Sequence, residues 1–150
     1  MTKIGRNMKL LFCGDRAWKD AGFILQVMSA LKVNLGDFTV IEGEAKGADS
    51  LSRTAALLLE LPVEKYPADW AAYGKAAGPI RNKLMLVQGK PTAVFAFHND
   101  LEHSKGTKNM VEMATKANLP VWVSSDGPDD LAKIIIRLKK HVRVRSVTIQ

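Results

Sequence analysis

Five short runs along the chain are apolar nearly throughout instead of alternating: "KLLFC" (9–13), "FTVIE" (38–42), "VEKY" (63–66), "AVFAF" (93–97) and "VWVS" (121–124). Runs of this kind, rich in β-branched and aromatic residues, predict strands covered on both faces. Between them the apolar period lengthens to that of a helix. Phe23, Ile24, Val27, Met28 and Leu31 form one stripe, and Leu51, Ala55, Leu58 and Leu59 a second. Ile80, Leu84 and Val87 form a third, Met110, Met113, Ala114 and Ala117 a fourth, and Leu131, Ile134, Ile135 and Leu138 a fifth. Strands alternating with helices imply parallel strands joined by right-handed crossovers. The pattern therefore predicts a doubly wound α/β domain, a parallel sheet of about five strands with helices on both faces.

Punctuation agrees. "NLGD" and "NLP" close the first and fourth helices, and "SSDGPDD" supplies a cap and a proline for the last. The closing "HVRVRSVTIQ" is β-prone but shifts its apolar phase at Ser146, so 139–150 reads as a basic terminal strand, at a sheet edge or in a dimer, or as a tail.

The 150 residues make one domain, 1–150, with 47% hydrophobic and 25% charged residues, a soluble globular balance. No apolar run approaches the roughly 20 residues that cross a bilayer, and the apolar segment near the N-terminus is too short for a signal peptide. A cytoplasmic protein without membrane contact is expected. The single cysteine, Cys13, lies in an apolar run and reads as a buried, inert thiol. The net charge of +7 is uneven: from Leu131 onward there are Lys133, Arg137, Lys139, Lys140, Arg143 and Arg145 and no carboxylate. The body of the domain is thus nearly neutral, and nucleic-acid binding, if any, belongs to the C-terminal segment.

A doubly wound sheet binds ligands beyond the carboxyl ends of its strands, where the strand order reverses. Four connectors lie there: "CGDRAW", "EGEAKGAD", "YPADWAAYGKAAGPIRNKLM" and "HNDLEHSKGT". They hold Arg16, Lys46, Asp69 and Arg81. In "KGAD" and "KGTK" a lysine and a glycine stand before a helix, which lets unpaired N–H groups approach an anion. Each corner alone reads as a turn at Gly47 or Gly106 with a cap from Asp49 or Thr107; only their coincidence at one sheet edge points to a nucleotide-like ligand. Neither "GxxxxGK[ST]" nor "GxGxxG" occurs, which argues against a P-loop NTPase or an ordinary dehydrogenase.

Arg81, just after Gly78-Pro79, is expected at a helix start, where a cation calls for a compensating anion: a ligand, or a salt bridge to Asp69. Trp18, Trp70 and Tyr73 read as stacking surfaces or as packing. The spacing of His98 and His103, with Asp100 and Glu102 between them, fits no standard metal site, and no metal or cofactor is expected. No Ser-His-Asp or Cys-His arrangement can be assembled.

The order "GDRAW", "EGEAKGADSLSRTAA", "YPADWAAYGKAAGPIRNKLM", "AFHNDLEHSKGTKNMVEMA" resembles the YspA, cpYpsA-related branch of the SLOG superfamily, over residues 8–124. That superfamily also holds the "Lonely guy" phosphoribohydrolases and DNA-processing protein A. The resemblance implies a Rossmann-like fold and a nucleotide or nucleotide-derived ligand. Its pocket would draw on Gly14 and Arg16, on Gly43, Gly47, Ala48 and Asp49, on Asp69, Gly74, Gly78, Arg81 and Asn82, and on Gly106 and Thr107. Lys46 and Arg16 would help Arg81 neutralise phosphate, and Asp69 would accept from ribose hydroxyls.

In the phosphoribohydrolases the resemblance implies a catalytic Arg in Arg-Lys-x-x-Met and a catalytic Glu three residues after the Gly-Thr turn. Arg81 and Met85 fit the first pattern, with Asn82 for the Lys. The second fails, because Met110 stands where the Glu is expected, and Glu112 should point elsewhere on the helix. Hydrolysis of an N-glycosidic bond needs a carboxylate. Asp69 or Glu42 would have to supply it, with Arg81 and Asp69 then the catalytic candidates. Binding without hydrolysis is therefore expected, in a sensor or a ligand-sequestering protein, including one of phage type. The alternatives are a nucleoside monophosphate phosphoribohydrolase and a DNA-binding protein that uses the basic C-terminus. Related domains imply a homodimer.

Overall fold

The computed structural model describes residues 8–149, with side chains to residue 142. Five parallel strands, β1 (Lys9–Gly14), β2 (Thr39–Glu42), β3 (Val63–Lys65), β4 (Ala93–Phe97) and β5 (Val121–Val123), lie in the order β3-β2-β1-β4-β5. Six helices connect and cover them: α1 (Ala21–Leu35), α2 (Ala48–Leu58), α3 (Trp70–Tyr73), α4 (Ala77–Val87), α5 (Gly106–Lys116) and α6 (Gly127–Ile149). The chain leaves β1 towards β2 on one side and returns to β4 on the other, so the strand order reverses between β1 and β4. The carboxyl ends of these two strands form the crevice where such sheets bind ligands.

Because strand side chains alternate, β1 feeds two cores. Leu10 and Phe12 face α1, α2 and α6, with Val27, Met28, Ala55 and Leu138 against them. Leu11 and Cys13 face α4 and α5, where Met85, Met110 and Ala114 close the other side. Phe12 stacks on Phe95 at 5.3 Å and Phe97 at 6.0 Å, which stiffens the sheet where the crevice opens.

Three expectations change. On α4 the apolar stripe of Ile80, Leu84 and Val87 faces outward, and the buried face is Ala77, Gly78, Arg81, Asn82 and Met85. On α2, Leu58 is exposed and Asp49 and Ser52 are buried. The segment from 139, read as a strand or a tail, continues α6 to Ile149. No glycine or proline follows Pro128 to interrupt it, and extending an existing helix costs far less than starting a strand. The side chains of Arg143 and Arg145 lie outside the described residues. No helix among the described residues is long and apolar enough to cross a membrane.

Candidate functional site

A cavity of about 460 Å³ opens in the crevice, within the range of small-molecule sites. All four connectors contribute. The first gives Gly14, Asp15 and Arg16; the second Ala45 and Asp49; the third Trp70, Lys75, Gly78, Arg81 and Asn82; the fourth His98, Ser104, Lys105, Gly106 and Thr107. Cys13, Met85 and Met110 form apolar parts of its wall.

The floor is a buried polar cluster. Arg81, expected at the helix start, lies one turn inside α4, because Ala76 and Ala77 already hold helical backbone angles and Gly78 and Pro79 fall within the first turn. Its guanidinium donates to the Gly43 carbonyl and, through Nε, to Asn82 Oδ1 at 3.0 Å. Asn82 Nδ2 then donates to the Gly106 carbonyl at 3.2 Å and to Asn109 Oδ1 at 3.1 Å, which ties α4 to the start of α5. Asp49, from α2, is the compensating charge. Burial raises its pKa, opposed by the N–H groups of Ala45 and Gly43 and by the charges of Arg81 and Arg16. Burial likewise lowers the pKa of Arg81, with Asp49 acting against it. Each charge is thus costly alone and sustained by the other. Gly43 packs where a Cβ would overlap the Arg81 guanidinium and lie 3.0 Å from Asp49 Oδ2. Its service to the site is to make room for this pair.

The rim is cationic. Arg16 lies over the Trp70 ring at 5.2 Å, and the half-exposed indole forms part of the wall. Lys75 and Lys105, both exposed, have no carboxylate partner among the described residues. Against these cations stand Asp15 and Asp49 as the carboxylates in the wall. An anion entering here meets four positive side chains, Arg81 buried and Arg16, Lys75 and Lys105 exposed. The thiol of Cys13 is pushed up strongly, first by burial and then by Asp49, and stays protonated and inert.

Of the fourteen ligand-binding residues expected from the sequence, Gly14, Arg16, Asp49, Gly78, Arg81, Asn82, Gly106 and Thr107 come together in this wall. Gly43 supports it from behind, and Lys46 is exposed and outside the wall. Gly47 is pressed against the first connector, and the N–H of Ala48 beside it donates to the Asp15 carbonyl at 3.0 Å. That corner is therefore occupied by protein. Asp69 is not paired with Arg81: it caps α3, accepting from Ala72 N–H at 3.0 Å. At the other corner the Thr107 N–H is taken by Ser104 Oγ at 3.1 Å.

Lys75, Lys105, His98 and Ser104 escaped selection as site residues. The signal for the lysines was present, since Lys75 lies in Tyr-Gly-Lys and Lys105 precedes Gly106. His98 Nδ1 accepts from Asp100 N–H at 2.9 Å, which leaves Nε2 turned towards Asp15 at 3.8 Å. His103 instead pairs with Asp100 on the surface. Met110 is buried in the wall and Glu112 is exposed. Glu42 is fully buried beneath the second connector and bound to Arg53 at 3.3 Å, away from the cavity.

Glu42 has a measurable consequence. Its pKa is raised, first by burial, despite the Glu44 N–H and Arg53 that favour the anion. A carboxyl that holds its proton more tightly when folded contributes most below its unfolded pKa of about 4.3 and loses that contribution as pH rises through the folded value. Wild type should therefore gain stability relative to Glu42→Gln as pH falls from neutral towards about 4. Urea unfolding across that range tests it, and a constant difference would be the contrary result.

Comparison with known proteins agrees with this frame. The model of the YspA, cpYpsA-related SLOG family matches residues 8–73, from β1 through α3. The Gene 61 protein of Mycobacterium phage D29 is 30% identical over 126 residues, which cover 80% of this chain and 98% of that protein. The X-ray structure of DNA processing protein A from Streptococcus pneumoniae superposes with a TM-score of 0.60 at 17% identity, a likeness of fold. The match covers 92% of this chain and 57% of that one.

Proposed function

The chain belongs to the YspA, cpYpsA-related SLOG family, and from that premise we propose that it binds a nucleotide or nucleotide-derived molecule in the cavity at the carboxyl edge of the sheet. The observation that carries this reading is the charge arrangement: Arg16, Lys75, Arg81 and Lys105 converge on one cavity whose rim bears an exposed indole. Cations suit phosphate, and Trp70 offers a face for a base or sugar. Gly106, at the start of α5, leaves space for close approach of an anion to the helix terminus.

Binding, not hydrolysis, is the function proposed. Met110 stands in the wall where the resemblance to the phosphoribohydrolases implies a catalytic Glu, and the carboxylates of the wall, Asp15 and Asp49, come from other connectors. Asp69 and Glu42, the substitutes considered from sequence, are engaged elsewhere. A sensing or sequestering role fits such a site, and the phage relative favours a phage setting.

The test is mass spectrometry of small molecules released from the purified protein, followed by calorimetric titration with the common nucleotides. Lys75→Ala and Lys105→Ala should each weaken binding about tenfold, the loss of one charge-assisted contact. The proposal fails if nothing is released and no nucleotide binds. Free base appearing from nucleoside monophosphates would replace it with the hydrolase reading.

A further inference from the structure

The outer face of α4 is apolar and takes no part in the cavity. The inner face holds Arg81, Asn82 and Met85, while Ile80, Leu84 and Val87 lie outside, 36%, 39% and 60% exposed. With Trp70 and Tyr73 of α3 they make five of the nine large apolar side chains exposed among the described residues, so this surface is concentrated on one segment. Concentration of that kind marks a binding surface, as scattered apolar residues do not. The spacing, four residues and then three, repeats the seam by which one helix packs lengthwise on another.

The charge beside the seam is of one sign. Lys83 is exposed next to Leu84, and Lys75 and Lys90 stand exposed before and after the helix. From Trp70 to Asn99 the chain holds no carboxylate. None of these three lysines is ion-paired among the described residues, whereas Lys9, Lys65 and Lys108 are.

That charge selects the occupant. A second copy on the same seam would set lysine against lysine with no carboxylate on either side, which disfavours the pairing. The ends of this chain suit it no better, since residues 1–7 and 143–150 contain Lys3, Arg6, Arg143 and Arg145 and no carboxylate. A helix that lies on a membrane buries a broad apolar face; the outer face of α4 is a single row of three side chains.

We propose that this seam docks an amphipathic helix of a partner protein, with aliphatic residues along its contact row and glutamate or aspartate on its flanks. Ile80, Leu84 and Val87 receive the apolar row, and Lys83, Lys75 and Lys90 face the carboxylates. Because Arg81 and Asn82 lie on the other side of α4, the partner sits behind the cavity floor without entering the cavity. The proposal does not depend on what the cavity binds.

The experiment titrates the full chain, by fluorescence anisotropy, against two labelled three-heptad peptides. Both carry leucine along the contact row, one with glutamate and the other with lysine on the flanks. The glutamate peptide should bind at least about tenfold more tightly, and added salt should weaken it. Val87→Asp, at an exposed position outside the cavity wall, should abolish binding, and Lys83→Glu should reverse the preference between the peptides. Equal binding of the two peptides, binding of neither, or binding that survives Val87→Asp overturns the proposal. So does evidence of another occupant: a dimer in sedimentation equilibrium that Val87→Asp dissociates seats a second copy on the seam. Adsorption to phosphatidylcholine vesicles containing phosphatidylglycerol, if Val87→Asp removes it, seats a membrane there.

Discussion

Replacing Arg81 with methionine should lower stability by about 3 kcal/mol at neutral pH and weaken nucleotide binding by more than tenfold. The first figure is that of two opposite charges buried near each other, of which the loss of one leaves the other member enclosed and less compensated. Asp49 is that member: it is 6% exposed, and Arg81 is among the influences that keep its pKa from rising further. Methionine also cannot donate to the Gly43 carbonyl or to Asn82 Oδ1, so Asn82 loses one of the bonds that hold it between α4 and α5. Two readouts separate the charge from mere loss of packing. Acidification should reduce the penalty, because Asp49 without Arg81 takes up a proton more readily. Adding Asp49→Asn to Arg81→Met should recover much of the lost stability without restoring binding. A double variant as unstable as the sum of the single changes would show that the two charges are not coupled.

The same cluster explains which parts of the structure were legible in the sequence. The strands were read closely because both faces of a doubly wound sheet are covered, so burial leaves unbroken apolar runs such as "AVFAF". The helix that borders the cavity was read with its faces exchanged. The rule that apolar residues point inward presumes an apolar interior, but what α4 faces includes a cavity with a charged floor, so Arg81 and Asn82 go in and Ile80, Leu84 and Val87 go out. α2 repeats the effect, with Asp49 and Ser52 inside and Leu57 and Leu58 outside. Local patterning fails at sites for this reason.

Topology singled out the four connectors that line the cavity, yet it could not apportion their residues. Asp69 and Arg81 are both polar residues of one connector, and nothing in their spacing reveals that the carboxylate is spent on capping α3. Lys46 and Lys75 look equivalent as cations with reach, and only the path of the backbone brings Lys75 to the cavity and leaves Lys46 outside.

The two glycine corners, indistinguishable as sequence, should respond oppositely to alanine. Gly47 has φ of 70°, a conformation that side chains disfavour, and a Cβ there would overlap the carbonyl oxygens of Asp15 and Arg16. Relief would require the first connector to lift from α2, breaking the bond from Ala48 N–H to Asp15 and displacing Arg16 from the rim. Gly47→Ala should therefore cost about 3 kcal/mol in urea unfolding and impair binding through the displaced connector. Gly106 has no positive φ, and a Cβ there meets no atom within 4 Å. At the first position of α5, Gly106→Ala should leave stability within about 1 kcal/mol of wild type. Because Gly106 lines the cavity, the added methyl group occupies space that a bound anion would use, and affinity should fall while the fold persists. Loss of stability without loss of affinity at Gly106 would make that corner a structural turn. An unchanged unfolding midpoint for Gly47→Ala would mean that the first connector does not rest on it.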